Sequence, residues 1–251
     1  MSIEYAAAGG VARITLNRPE KRNAITSEMM SALSESLQRA DEDTTVRVLL
    51  VRGAGKDFCA GLDLSEVLQS AEDSPSALTS ARRLGHLYIA MRRHPKPIIA
   101  AVHGRALGGG AGIATAADLI IAAESAQLGY PEVKLGFIPA IVATMLRRAV
   151  NERQAMELAL TGEPLSASRA LAIGLINRVY ADTEFDASVE RYVATLAEHP
   201  AAAMSMSKVL LYETDGMSFE ASIEAGVQAN VQSRKTEDFK RGVASFLKKT
   251  R

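Results

Sequence analysis

Three short segments combine residue types that can do chemistry: Asp57 to Asp63 (DFCAGLD), Ala106 to Gly112 (ALGGGAG) and Gly129 to Gly136 (GYPEVKLG). In the first, Ala60 and Gly61 have no side chain able to screen a backbone N–H from a ligand. In the second, a glycine run opens an apolar stretch that reads as a helix. Its first N–H groups lack intrahelical acceptors and lie at the positive end of the helix dipole. Two N–H groups aimed at one oxygen stabilise a developing oxyanion, and losing one such donor typically costs roughly 3 kcal/mol of barrier. The third segment supplies Glu132, a carboxylate after Pro131 in an otherwise apolar setting. Burial there would raise its pKa, which suits a general base. Each feature alone also has a plainer reading: glycines permit tight turns, and a carboxylate can simply open a helix in solvent.

Other chemistries fail on spacing. A dinucleotide-binding G-x-G-x-x-G from Gly108 would need glycine where Ile113 stands, and the Gly55-Lys56 pair continues to Asp57 rather than to the Ser or Thr of a phosphate loop. Four His and one Cys, with no C-x-x-C or H-E-x-x-H, argue against a metal site. Twenty-nine Lys and Arg balance 29 Asp and Glu, so the broad positive field of a nucleic-acid binder is absent. Cys59 reads as a small buried thiol, and His103, at a strand end, has no Ser and Asp to complete a triad.

The elements that must position these segments alternate along the 251-residue chain. Ile3 to Asn17 reads as two strands around Gly9-Gly10, with Ala12, Ile14 and Leu16 on one face. A helix follows Thr26 or Ser27, with Met30, Leu33, Leu37 and Ala40 as its buried stripe. Val46 to Val51 and Ile98 to Val102 read as buried strands, and Leu119 to Ala122 as another. Leu84, Leu87, Tyr88 and Met91 place a helix over about 76–93, preceded by a polar, weakly patterned stretch from Ser65 to Ser80. Asn151 with Gln154 marks a capped helix start and Gly162 its stop; Ser166 and Gly174 bracket another. This is the pattern of a layered α/β domain, predicted over 1–183. Helices follow at about 184–198, 200–213 and 218–249 with a break near Thr236, so 184–251 is expected to be a helical, oligomerisation domain.

Asn17-Arg18-Pro19, Phe58 to Asp63, Pro97 to Val102, the Gly108 cluster, Asp118 and Pro131-Glu132 occur in the order and spacing of the enoyl-CoA hydratase/isomerase (crotonase) family, which the chain resembles over nearly its whole length. The resemblance implies a spiral of ββα repeats with a C-terminal helical domain, assembled as trimers or dimers of trimers. It implies that Ala60 and Gly109 give their N–H groups to an acyl-CoA thioester oxygen, with Glu132 as acid/base. Coenzyme A would lie along Arg22, Ala24, Ala60, Gly61, Leu62, Asp63 and Gly109, with Phe246 and Lys249 at the tail. Lys21, Arg22, Lys248 and Lys249 are candidate cations for its phosphates. No cofactor is implied beyond the coenzyme A of the substrate.

One departure bears on mechanism. Hydratases of this family use two glutamates, and the position of the first is Gly112 here, which cannot transfer a proton. A single glutamate matches the family's enoyl-CoA isomerases, so conversion of a 3-enoyl-CoA to a 2-enoyl-CoA is the expected reaction, with hydration or acyl-CoA binding without catalysis as alternatives. Asp118 is expected to be structural, Asp63 to cap or line the site, and Glu124 and Glu163 to lie outside it. Ser65 to Ser80 and Phe137 to Ile141 are expected to shape the acyl pocket. The N-terminus has no apolar h-region, and the apolar window Ala106 to Ala123 is interrupted by four glycines and Asp118. With its lone thiol, a soluble cytoplasmic protein is expected.

Overall fold

A computed structural model describes residues 1–71 and 73–249, with Lys249 given by its backbone alone. β1 (Ile3–Ala8) and β2 (Val11–Leu16) form the predicted antiparallel hairpin, and Ala12, Ile14 and Leu16 are buried at alternate positions. α1 (Ser27–Glu42) begins where the Thr26 side chain accepts from the Met29 N–H, and it buries Met30, Leu33, Leu37 and Ala40 as its period requires.

Three times the chain then runs a strand in a main sheet, a short extended segment in a second sheet, and a helix. The first turn is β3 (Val48–Gly53), a bridge at Cys59, then α2 (Leu64–Ala71) and α3 (Ser74–Arg93). The second is β4 (Ile98–Val102), β5 (Arg105–Leu107) and α4 (Gly109–Ala116). The third is β6 (Leu119–Ala123), β7 (Gln127–Gly129), a 3-10 turn over Pro131–Leu135, then α5 (Ala140–Ala149) and α6 (Glu152–Thr161). β8 (Leu165–Ser166) returns to the second sheet, and α7 (Ala167–Ala172) leads to β9 (Arg178–Tyr180) in the first.

The main sheet has the order β1-β2-β3-β4-β6-β9 and is parallel from β2 onward; the second has the order β5-β7-β8. All five residues of β4 are buried, which explains its uninterrupted apolar run: both faces of the sheet are covered. The predicted capping box at Asn151 and Gln154 forms, and Gly162 ends α6 in the left-handed conformation.

Ser65 to Ser80 is more regular than its pattern suggests: it contains α2 and the first turns of α3, which Asp73 caps by accepting from the Ser76 N–H. α2 buries none of its residues in the core, so it carries no core-facing stripe to read.

Beyond β9, α8 (Phe185–Ala197) buries Phe185, Val189 and Val193 against the main sheet. α9 (Ala201–Glu213) is tied to the core by Lys208 and Tyr212, which both bind the Asp118 carboxylate at 2.8 Å. α10 (Phe219–Ser233) and α11 (Glu237–Lys249) complete the chain, and the break falls at Thr236, whose hydroxyl accepts from the Phe239 N–H.

Candidate active site

Register brings the three segments together. In the second sheet Cys59 lies beside Ala106, and Ala106 beside Leu128, all parallel. Continuing past these partners, the three chains reach Leu62, Gly109 and Glu132 at the same edge. Equivalent points of three successive ββα turns therefore supply the site.

The turn after Cys59 is held from both ends. Asn23, buried at φ +58°, donates its side-chain amide to the carbonyls of Ala54 (2.8 Å) and Asp57 (2.7 Å) and accepts from the Arg18 N–H (2.9 Å). Asp57 takes both guanidinium contacts of Arg105 at 2.9 Å and the Arg105 N–H at 3.0 Å, and these bonds hold its carboxyl below the usual range.

Residues 22–25 then run beside 60–63, with the Ile25 N–H donating to the Gly61 carbonyl (2.8 Å) and the Asp63 N–H to the Ile25 carbonyl (2.9 Å). This pairing corrects one expectation. The Ala60 N–H donates to the Arg22 carbonyl at 3.0 Å, so it is not available to a ligand. Gly61, at φ +111°, breaks the strand alternation, and the Leu62 N–H finds no backbone acceptor among the described residues. A methyl on Gly109 would stand 3.5 Å from the Leu62 nitrogen, and one on Gly61 3.7 Å from the Gly109 nitrogen, so the two amides are neighbours. Gly109 opens α4, where its N–H has no intrahelical acceptor. The donor pair this geometry offers is Leu62 with Gly109.

Glu132 closes the third side. A methyl on Gly108 would lie 3.3 Å from its Oε1, which sets the carboxylate against the glycine turn. Its Oε2 is buried without a hydrogen-bond partner among the described residues. Burial pushes its pKa up. A carboxylate so placed is poised to take a proton, and the facing amides can hold the charge that proton leaves behind.

Two cavities meet here, sharing Leu62, Val67, Gly109, Glu132 and Phe137. The inner, about 350 Å³, has apolar walls from α2, α3 and the Phe137 to Val142 stretch, so both segments expected to shape an acyl pocket line it. The outer, about 470 Å³, is bordered by Arg18, Lys21, Ala24, Ala60, Gly61 and Asp63. Of the residues expected along coenzyme A, Arg22 lines neither cavity; it gives its carbonyl to Ala60 and is exposed. Asp63 accepts from Ser65 and Arg18, which makes it a cap at the start of α2. Phe246 is 69% exposed on α11 and lines neither cavity. The side chain of Lys249 lies outside the described residues.

Gly112 can take a side chain only if Tyr88 moves. A methyl there would overlap the Tyr88 hydroxyl and lie 2.6 Å from its Cζ. Tyr88 donates to the Gly109 carbonyl at 2.8 Å. It is legible in the sequence only as one member of an apolar helix stripe. Asn23 is likewise missed, although its place after a Pro-started turn is a signal for left-handed backbone.

The remaining candidates are structural. Cys59 points its thiol at the Asn23 carbonyl (3.0 Å), and burial pushes its pKa up to about 12, the opposite of a nucleophile. His103 bonds the Gly55 carbonyl at 3.0 Å and stacks at a tilt on Phe185. Glu163 pairs with Lys134 at 2.6 Å, and Glu124 is exposed.

Comparison with known proteins agrees with this architecture. The sequence model of the Enoyl-CoA hydratase/isomerase family matches residues 6–251. A Thermus thermophilus protein that bears an enoyl-CoA hydratase name is 37% identical over 245 residues, covering 96% of each chain. The 1,2-epoxyphenylacetyl-CoA isomerase of Escherichia coli is 34% identical, covering 96% of this chain and 93% of its own. The crystal structure of an enoyl-CoA hydratase from Mycobacterium smegmatis superposes with a TM-score of 0.95 at 30% identity, covering 99% and 97% of the two chains. The fold is therefore that of the crotonases, and the chain is an enzyme of the enoyl-CoA hydratase/isomerase family.

Proposed function

We propose that the protein isomerises 3-enoyl-CoA thioesters to 2-enoyl-CoA thioesters. The acyl chain occupies the inner cavity, the thioester oxygen meets the Leu62 and Gly109 N–H groups, and the coenzyme A arm leaves through the outer cavity past Ala24, Gly61 and Asp63. Ionised Glu132 takes a proton from C2. The electron pair spreads over the thioester oxygen, C2 and C4 as a dienolate, whose negative end the two amides hold. Protonated Glu132 then returns the proton at C4, leaving the double bond between C2 and C3. One carboxylate suffices, and no water is consumed.

The observation that carries this reading is Glu132 facing two free amides with Gly112 sealed by Tyr88, so that α4 offers no second carboxylate. Hydration is the second reading, favoured by the hydratase names among the relatives. Substrate deuterated at C2 separates the two. Isomerisation through one base carries part of the label to C4, whereas appearance of a 3-hydroxyacyl-CoA would establish hydration.

The exposed apolar face of α10 and α11, with Phe219, Ile223, Val227 and Val231 on the first, supports assembly as a trimer or dimer of trimers. In that assembly Phe246 and Lys249 would reach coenzyme A. The cytoplasm is the proposed compartment, on the strength of a single unpaired thiol.

A further inference from the structure

The side chain that confines the reacting end of the inner cavity has no part in the proton transfer described above. Tyr88 stands on α3, is 3% exposed, and lines the cavity together with Glu132 and Gly109. Its hydroxyl donates to the Gly109 carbonyl at 2.8 Å, and its ring fills the space beside Gly112. Burial, with the nearby Cys59 and Glu132 adding to it, pushes the phenol far above its ordinary pKa, so the group stays a donor.

The turn it grips has no side chains of its own, although Leu62, Cys59 and Glu132 pack against it. Gly108, Gly109, Gly110 and Gly112 bring none, so on α4 itself only backbone hydrogen bonds, such as that from the Gly112 N–H to the Gly108 carbonyl, fix the torsions between the Gly109 N–H and the Gly109 carbonyl. A hydrogen bond delivered to that carbonyl from a neighbouring helix restrains them from outside. A donor amide works only when it is aimed before charge develops, and a small error in aim is costly.

We propose that Tyr88 is a positioning residue: by holding the Gly109 carbonyl it aims the Gly109 N–H at the thioester oxygen, and position 112 is glycine because the Tyr88 ring needs that space. The proposal rests on reading Leu62 and Gly109 as the oxyanion donors. It assigns α3, which also walls the acyl cavity, a second duty in setting the strength of the oxyanion site.

Tyr88→Phe keeps the ring and removes the bond. The direct readout is the thioester carbonyl stretch of bound hexanoyl-CoA, taken by isotope-edited infrared difference, because it reports polarisation without turnover. The wild-type protein should shift the stretch to lower frequency. Tyr88→Phe should bind hexanoyl-CoA within about threefold, give a smaller shift, and lower kcat on 3-hexenoyl-CoA about tenfold with KM little changed, as loss of one hydrogen bond implies. Gly112→Ala, which must push the ring aside, should reduce the shift in the same direction. A full shift and full kcat in Tyr88→Phe would overturn the proposal. A wild-type shift without isomerisation would remove the isomerase reading while the comparison of the two shifts still decides Tyr88. No shift in the wild type would overturn both.

Discussion

The proposed reaction places the chemistry of the site on one carboxylate, Glu132, and its environment makes two measurable commitments. Burial raises its pKa, and the working form of a base is the ionised one. The acid limb of the kcat/KM profile should therefore lie above the ordinary carboxylate range, with activity lost as pH falls through it. Glu132→Gln should lose on the order of 10²- to 10⁴-fold in turnover while keeping its affinity for acyl-CoA. A variant that still turns over would place the base elsewhere. The same shift is linked to stability. Because the folded pKa is raised, the native state holds this proton over a window where the unfolded chain has released it. Stability is then full below the unfolded value and declines as pH rises through the folded one. Glu132→Gln removes that penalty, so it should melt above the wild type at about pH 8, with the difference closing near about pH 4. Equal melting temperatures at the higher pH would contradict the burial of this charge. Glu132 is legible in the sequence because Pro131 and the apolar residues around it set it apart. Leu62 is not, because what frees its N–H is the pairing of residues 22–25 with 60–63, a contact between distant parts of the chain. That pairing also takes the Ala60 N–H, the donor that local composition favours.

At the scale of elements, the site depends on α4 lying close against the second sheet. A methyl at Gly110 would lie 2.7 Å from both Cβ and Sγ of Cys59 and closer still to the Cys59 carbonyl. Gly110→Ala should therefore cost about 2 kcal/mol, the usual range for overpacking, in urea unfolding, and should weaken catalysis by lifting Gly109 away from Leu62. An unchanged unfolding midpoint would show that α4 is less tightly seated than its contacts indicate. The strands and capped helices that carry the site follow from period and punctuation: β4 from its buried run, α1 from Thr26 and its stripe, α6 from Asn151 and Gly162. α2 does not, because its side chains face the cavity and solvent rather than the core. Tyr88 shows the same limit from the other side. Its spacing marks it as core, and only the approach of α3 to α4 reveals that its hydroxyl holds a carbonyl of the site.

At the scale of the whole molecule, α8 and α9 belong to the core by packing and by the Asp118 cluster, whereas α10 and α11 present apolar residues outward. Val227, Val231, Phe239 and Val243 are each more than two-fifths exposed, which supports the assembly proposed above. In the proposed assembly, Val227→Asp combined with Val231→Asp should cause dissociation in sedimentation, weakening subunit contact by more than about 100-fold, because two unpaired charges would be buried where this face meets its partner. A wild-type protein that sediments as a monomer would refute the subunit role of this face. The amphipathic pattern of the tail is visible in the sequence. What covers it is not, since the same pattern serves a helix packed on its own domain.

The proposed reaction requires that one carboxylate move a double bond. Ultraviolet absorbance of the conjugated enoyl-thioester, followed while the protein acts on 3-hexenoyl-CoA, tests this in a single trace. The predicted result is a rise that persists in the wild type and is abolished in Glu132→Gln. A flat trace with 3-hexenoyl-CoA, together with a falling one when 2-hexenoyl-CoA is supplied, would contradict it and make the protein a hydratase.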